Sequence, residues 1–373
     1  MMAAGVFMVT ALNAMRLNAS ADAEKRESGT GGFRFVGEST LPVYEDLNSA
    51  AGREDIGLGS VSEQPFALVQ MRMSEGEDAS CLNLNRAQNP RLLGVSPEGL
   101  AERKSFPFSG TMDGGRLEAG ESPWSLLEDE LSEGVIPGVI DMNTAVYALG
   151  KKLGDELAYE DGRGEVFRVR LVGFLANTML QGSVLISERQ FVEKYPDTGG
   201  YSYFLLDAPD EESATEAAQQ MNRMLEDRGF ALMPAWQRLG EYNAVRNAYL
   251  SIFTTLGGLG ILLGTVGLSI LVGRNVLERR GQLGLMRAVG FSVRDLARLV
   301  LAEHWFLHVL GVAVGLMAAL VAVSGKLTEA GGDLPLGMLA AIVTAILLAG
   351  LFFCWLAARL VVRIPLLESL RSE

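Results

Sequence analysis

His304 and His308 are the only two histidines among 373 residues, and they stand four apart beside Glu303. On a helix that spacing puts both imidazoles on one face, where they could hold a metal ion. No further ligand is evident, so a structural place in a helix is the simpler reading, and no metal or cofactor is expected. Two histidines, both in an apolar stretch, also leave nothing for a Ser-His-Asp or Cys-His centre in the polar part of the chain. No Gly-x-x-x-x-Gly-Lys-Ser/Thr occurs, so the sequence has no phosphate loop. The glycine-rich 29–32 precedes a strand-like run and reads as a turn. What remains is charge. From Arg274 to Arg298, six arginines (274, 279, 280, 287, 294 and 298) face only Glu278 and Asp295. That is a surface for a partner to grip rather than a reaction centre.

The flanking elements position this stretch. No Asp, Glu, Lys or Arg occurs from Asn247 to Gly273, nor from His304 to Gly325. A bilayer core is crossed by roughly 20 apolar residues in a helix, so both runs can span. The basic stretch is then a short loop between spans, and such loops lie on the cytoplasmic side. Membrane helices are expected at 249–273, 299–324 and 334–358. The 274–298 loop would be inside, the 325–333 connection outside, and the 359–373 tail, with Arg359, Arg363 and Arg371, inside. That sidedness puts residues 17–245 outside. Gly260 with Gly264, and Gly311 with Gly315, are small-residue pairs that let helices approach closely. They suit packing within the chain, or an interface with a second copy or a partner chain.

Charge divides the chain. Residues 1–249 hold 22 Lys and Arg against 38 Asp and Glu, a net of −16; residues 250–373 hold 10 against 7, a net of +3. An acidic polar part beside a mildly basic membrane part argues against a nucleic-acid partner. Cys81 and Cys354 fall in different parts, so no internal disulfide is expected. Residues 17–235 read as a mixed α/β region. Strand-like runs are Phe33–Glu38, Phe66–Met73, Val166–Leu175, Tyr201–Leu206 and Phe230–Met233. Glu211–Arg228 reads as a helix, with Ala214, Ala217, Ala218, Met221, Met224 and Leu225 on its apolar face and Gly229 as its stop. Loops are expected at 74–80, 109–122 and 207–213. Residues 236–250 read as a helical stalk entering the second membrane helix. Its partial apolar stripe is Leu239, Tyr242, Val245 and Tyr249, and the tyrosines and Trp236 suit a membrane interface.

The loop Glu278-Arg-Arg-Gly-Gln-Leu-Gly-Leu-Met-Arg-Ala-Val-Gly290 resembles the signature of FtsX-like ABC-transporter permeases, the family of the MacB, LolC and LolE proteins. Arg280, Gly284, Arg287, Ala288, Gly290 and Glu303 match the pattern; Gln282 stands where the family has a Glu. The resemblance implies that Glu278, Arg279, Arg280, Gln282, Gly284, Arg287, Ala288 and Gly290 form a coupling segment that docks into an ABC ATPase. Glu303 would make a structural contact to that segment. It also implies a bacterial cytoplasmic-membrane protein with a MacB periplasmic core-like α+β domain outside and an α-helical bundle of three full helices and a partial first one. The turn at 162–164 between Leu153-Gly-Asp-Glu and the strand after it fits that domain, and the ending Ile364–Glu373 resembles the family's close. Residues 1–16 read as the tail of a first membrane helix, with a signal peptide or a short anchor as alternatives, and the chain could be the second module of a longer permease. The implied function is relay of ATP-driven motion to the outer domain, which exports or extracts a lipoprotein, lipid-linked or amphipathic substrate. ATP would be hydrolysed by the partner. The alternatives are an FtsX-like regulator of a cell-wall hydrolase and a membrane-anchored receptor without an ATPase.

Overall fold

β-branched and aromatic residues dominate the runs that become strands, and the arginines and glutamates between them mark the wet faces. The computed structural model describes residues 2–15, 19, 23–58, 66–74, 76, 89–112, 121–327 and 336–361. The chain forms two compact units, Leu17–Arg246, and Met1–Arg16 with Asn247–Glu373.

The first is an α+β unit built on a ten-stranded mixed sheet. The strands are β1 (Phe35–Val43), β2 (Ala67–Met73), β3 (Arg91–Val95), β4 (Phe108–Thr111), β5 (Val135–Asp141), β6 (Glu156–Glu160), β7 (Val166–Leu175), β8 (Ser183–Ser187), β9 (Tyr201–Asp207) and β10 (Ala231–Pro234). They lie in the order β10-β1-β9-β2-β3-β8-β5-β7-β4, with β6 also paired to β7. The β3/β8 and β5/β7 pairs are parallel and the other pairs antiparallel. The expected strands at β1, β2, β7, β9 and β10 are present. β3, β5 and β8 carried no alternation to read, because nearly every residue in them is buried. Strands covered on both faces lose the period of two that marks a half-exposed strand.

After the short helices α2 (Ala50–Asp55), α3 (Pro97–Arg103) and α4 (Glu188–Lys194), helix α5 (Glu211–Met224) lays Ala217, Ala218 and Met221 on β2 and β9 through Leu68, Phe204 and Leu206. Asp210 caps it, accepting from the Ser213 amide at 2.8 Å. The expected helix through Arg228 stops earlier. Met224 is half exposed, while Leu225 turns inward and a 3-10 turn covers Glu226–Arg228. Arg228 grips Glu45 at 3.0 and 3.2 Å, which draws that turn toward the end of β1 and holds the Glu45 carboxyl below the usual range. The expected loop at 109–122 begins as strand β4, whose residues pair with the end of β7. At the turn after β6, Asp161 accepts from the Arg163 and Glu165 amides, both at 2.9 Å, and Gly164 takes a left-handed φ of +81°. Buried Asp141 ends β5 and accepts from the amides of Thr144 (2.9 Å) and Gly182 (3.1 Å); burial raises its pKa.

Among the described residues, the second unit holds five helical segments. Helix α1 (Met2–Ala14) packs through Val6, Ala11 and Ala14 against α8 (Val293–Leu327) and α9 (Leu336–Val361). The polar side chains on α1 are satisfied within it: Thr10 donates to the Val6 carbonyl at 2.5 Å and Asn13 to the Val9 carbonyl at 2.7 Å. Helix α6 (Ala235–Glu278) is continuous through the residues read as stalk and span. Its early apolar residues divide: Leu239 and Tyr242 are buried in the α+β unit, while Val245, Tyr249 and Trp236 are exposed. The stripe expected at a membrane interface is therefore, in its first half, a core contact. Cys81, most of the 74–80, 109–122 and 325–333 connections, and the ending after Val361 lie outside the described residues.

Candidate functional site

Charge and apolar surface come together between α6 and α8. Helix α7 (Arg280–Ala288) fills this interval, and its Leu283 packs on Val272 and Val276 of α6 and Leu296 and Val300 of α8. That cluster fixes one side of α7. On the other, Leu285, Met286 and Val289 follow at one- and three-residue steps. Leu285 is 66% exposed, Val289 76%, and Phe291 just beyond is also exposed. Residues at i and i+4 share a helix face, so α7 presents an apolar strip away from its own packing.

The polar members of the segment are placed as follows. Arg274 pairs with Glu278 one turn on at 2.7 Å. Arg279 stands at the α6–α7 junction and reaches Glu303 of α8 at 3.4 Å. Both partners are about half exposed, so the pair is worth no more than ~1 kcal/mol, and it ties the segment to α8 more by geometry than by energy. Arg280, Arg287 and Arg294 have no ion-pair partner among the described residues. Gln282 and Ala288 are exposed, and Gly284 is buried beside Leu283. Gly290 has φ +113°, a conformation open to glycine and strained for other residues, which gives a physical reason for glycine there. The chain then enters α8 through a reciprocal cap. Ser292 Oγ donates to Asp295 Oδ2 at 2.5 Å and accepts from the Asp295 amide at 3.2 Å; the same carboxylate accepts from the Ser292 amide at 3.3 Å. The sequence reading missed this start, which a Ser-x-x-acid spacing before an apolar run is able to signal.

The two histidines do not converge. His304 Nδ1–H donates to the Val300 carbonyl of its own helix at 2.8 Å. His308 Nε2–H reaches the Ile346 carbonyl of α9 at 3.3 Å, and its ring stacks on Trp305 with centroids 5.4 Å apart. No group of three His, Cys, Asp or Glu gathers among the described residues.

Both glycine pairs lie against α1. A Cβ at Gly315 would stand 2.6 Å from the Ala3 carbonyl oxygen and 2.9 Å from Val6 Cβ; one at Gly264 would meet Met2 Cγ at 2.8 Å. Gly260 and Gly311 are looser, with a Cβ 3.9 Å from Gly5 Cα and from Met2 Cβ respectively. Because a backbone oxygen cannot swing aside, Gly315→Leu should displace α1 and cost about 1–3 kcal/mol. Gly311→Ala should be nearly neutral. Thermal unfolding in detergent separates the two, and equal midpoints would refute this packing.

Helices α6, α8 and α9 are each long and apolar enough to cross a membrane. The FtsX-like permease C-terminal family matches residues 254–366, which contain α7, Glu303 and the helices around them. An uncharacterized ABC transporter permease of Methanocaldococcus jannaschii is 21% identical over 46% of this chain and 43% of its own length. The macrolide export ATP-binding/permease protein MacB of Escherichia coli K12 is 28% identical over 91% of this chain and 47% of its own. The chain thus spans about half the length of the curated relatives it matches. Among solved structures, the periplasmic region of MacB from Actinobacillus actinomycetemcomitans aligns with TM-score 0.30 and 12% identity, over 59% of this chain and 94% of that one. The extracellular domain of YknZ, a noncanonic ABC-type transporter of Gram-positive bacteria, aligns with TM-score 0.28 and 16% identity, over 53% and 99%. Those two likenesses are too distant to fix the fold; the family match and the aligned relatives carry the assignment. A matched permease C-terminal region, three helices able to cross a membrane and relatives along nearly the whole sequence lead to one conclusion: residues 254–366 are an FtsX-like permease C-terminal region, in a chain similar along most of its length to an ABC-type permease protein of the MacB kind.

Proposed function

We propose that the chain is the permease part of an ABC transport system in a bacterial cytoplasmic membrane, with the α+β unit outside and α7 inside. The observation that carries this reading is the exposed apolar strip Leu285, Met286 and Val289 on a short helix between two spans, beside Arg280 and Arg287, which have no ion-pair partner among the described residues. An apolar centre with arginine at its edge is the composition of a protein–protein contact. The partner it fits is an ABC ATPase, which supplies the phosphate loop absent from these 373 residues. Closure of the ATPase pulls on α7, and α6, unbroken from Ala235 to Glu278, carries the movement to the outer unit. That unit then exports or extracts a lipoprotein, lipid-linked or amphipathic cargo. A second permease chain or module completes the assembly across the outward faces of the spans. ATP is hydrolysed by the ATPase, and this chain performs no chemistry itself.

The test is affinity capture of the tagged chain from native membranes in mild detergent. The wild type should bring down an ABC ATPase, and Arg287→Glu should lose most of it while unfolding at the same temperature. Gly284→Trp is less informative, because Gly284 is buried and a Trp there would also disturb packing. Capture of no ATPase by the folded wild-type chain would overturn the reading.

A further inference from the structure

In the α+β unit, the first turns of α6 lie against the sheet through Ala235, Leu239, Tyr242 and Asn243, a spacing that keeps one helix face buried. Next to that face, two arginines share one carboxylate. Arg91 of β3 holds Glu38 of β1 with both guanidinium ends, at 2.8 and 3.0 Å, and donates its Nε–H to Ser183 at 2.9 Å. Arg91 is firmly set, with its side chain only 16% exposed and its cation over the Tyr203 ring. Arg238 of α6 is held differently. One end reaches the same Glu38 oxygen at 3.5 Å, and the other reaches Glu241 of its own helix at 3.6 Å. Both distances exceed those of an optimal charge-assisted hydrogen bond, roughly 2.7–2.9 Å. Arg238 therefore sits between a partner on the sheet and a partner on its own helix without fully taking either.

We propose that Arg238 is a two-position latch between α6 and the sheet, clamping the helix when it closes on Glu38 and freeing it when it closes on Glu241. A displacement below 1 Å separates each present distance from a full hydrogen bond. Glu38 stays satisfied in both positions because its two hydrogen bonds from Arg91 do not depend on Arg238, so switching does not strand the partly buried carboxylate. Arg238 is a positioning residue here, setting how firmly the first turns of α6 follow the sheet. This rests on the reading of α6 as the relay, but the latch is measurable without an ATPase.

Hydrogen exchange of the full chain in nanodiscs, followed on peptides covering 239–246, tests it. Glu241→Gln removes the competing partner, so α6 should clamp and exchange should slow about two- to fivefold, the range of one partly exposed ion pair. Arg238→Gln should speed exchange by a similar factor, and Arg238→Lys should restore most of the protection. Opposite shifts in the two glutamine variants support the latch. Shifts in the same direction, or none in Glu241→Gln, overturn it. Should Arg238→Gln fail to fold, Glu241→Gln and Arg238→Lys still decide. Opposite shifts in a chain that captures no ATPase would keep the latch and refute the relay.

Discussion

Leu285→Asp combined with Val289→Asp should abolish capture of an ABC ATPase and leave the chain folded. Both side chains are exposed and neither belongs to the Leu283 cluster, so their loss takes no core contact with it. Aspartate within a helix costs about 0.7 kcal/mol or less per residue, too little to unfold a segment anchored on α6 and α8. Burying two carboxylates against an apolar partner is a larger penalty. Truncating one central anchor commonly costs 2 kcal/mol or more, so two such losses amount to roughly a thousandfold in affinity. The double variant should therefore exceed Arg287→Glu, which removes only an edge contact. Capture from membranes, read beside the thermal midpoint, checks this. Undiminished capture would show that the apolar strip is not the docking face.

Trp124→Ala should be the most destabilising single change in the α+β unit, at about 3–5 kcal/mol. The residue lies in a 3-10 turn (Pro123–Glu128) and is almost fully buried. Its indole N–H donates to the Ser105 carbonyl at 2.8 Å, and its ring meets Phe108 and Phe106 edge-on at 5.1 and 6.3 Å. Against a typical domain stability of about 5–15 kcal/mol the loss is a large share. Ala235 and Leu239 of α6 belong to the same core, so the cavity would loosen the seat of that helix as well as the sheet. Trp124→Phe retains most of the packing and loses only the hydrogen bond, near 1 kcal/mol. Pulse proteolysis of the full chain in urea should rank wild type, Phe and Ala in that order. An Ala variant as resistant as wild type would mean this core does not limit stability.

Where the sequence was informative, one physical constraint acted alone. Bilayer thickness demands long uncharged runs, so α6, α8 and α9 announce themselves by composition. A half-exposed strand such as the start of β7 keeps an alternating pattern. The basic segment was visible as a motif, and the fold gives reasons for two of the residues that match the family pattern: Gly290 takes a left-handed turn, and Glu303 of α8 meets Arg279. The strands β3, β5 and β8 were not legible, because burial on both faces erases the alternation that marks a strand. Nor could residue types tell which of the segment's apolar residues pack and which face outward. Leu283 and Leu285 are chemically identical, and only their angles around α7, set by α6 and α8, make one core and the other surface. The pairing of Glu38 with both Arg91 and Arg238 was equally hidden, since 53 and 200 positions separate the partners. Composition and local spacing determined the family resemblance, the three helices able to span a membrane and the basic motif between two of them. The sheet order, the outward strip and the shared carboxylate were decided by tertiary structure, because each depends on contacts between residues far apart in sequence.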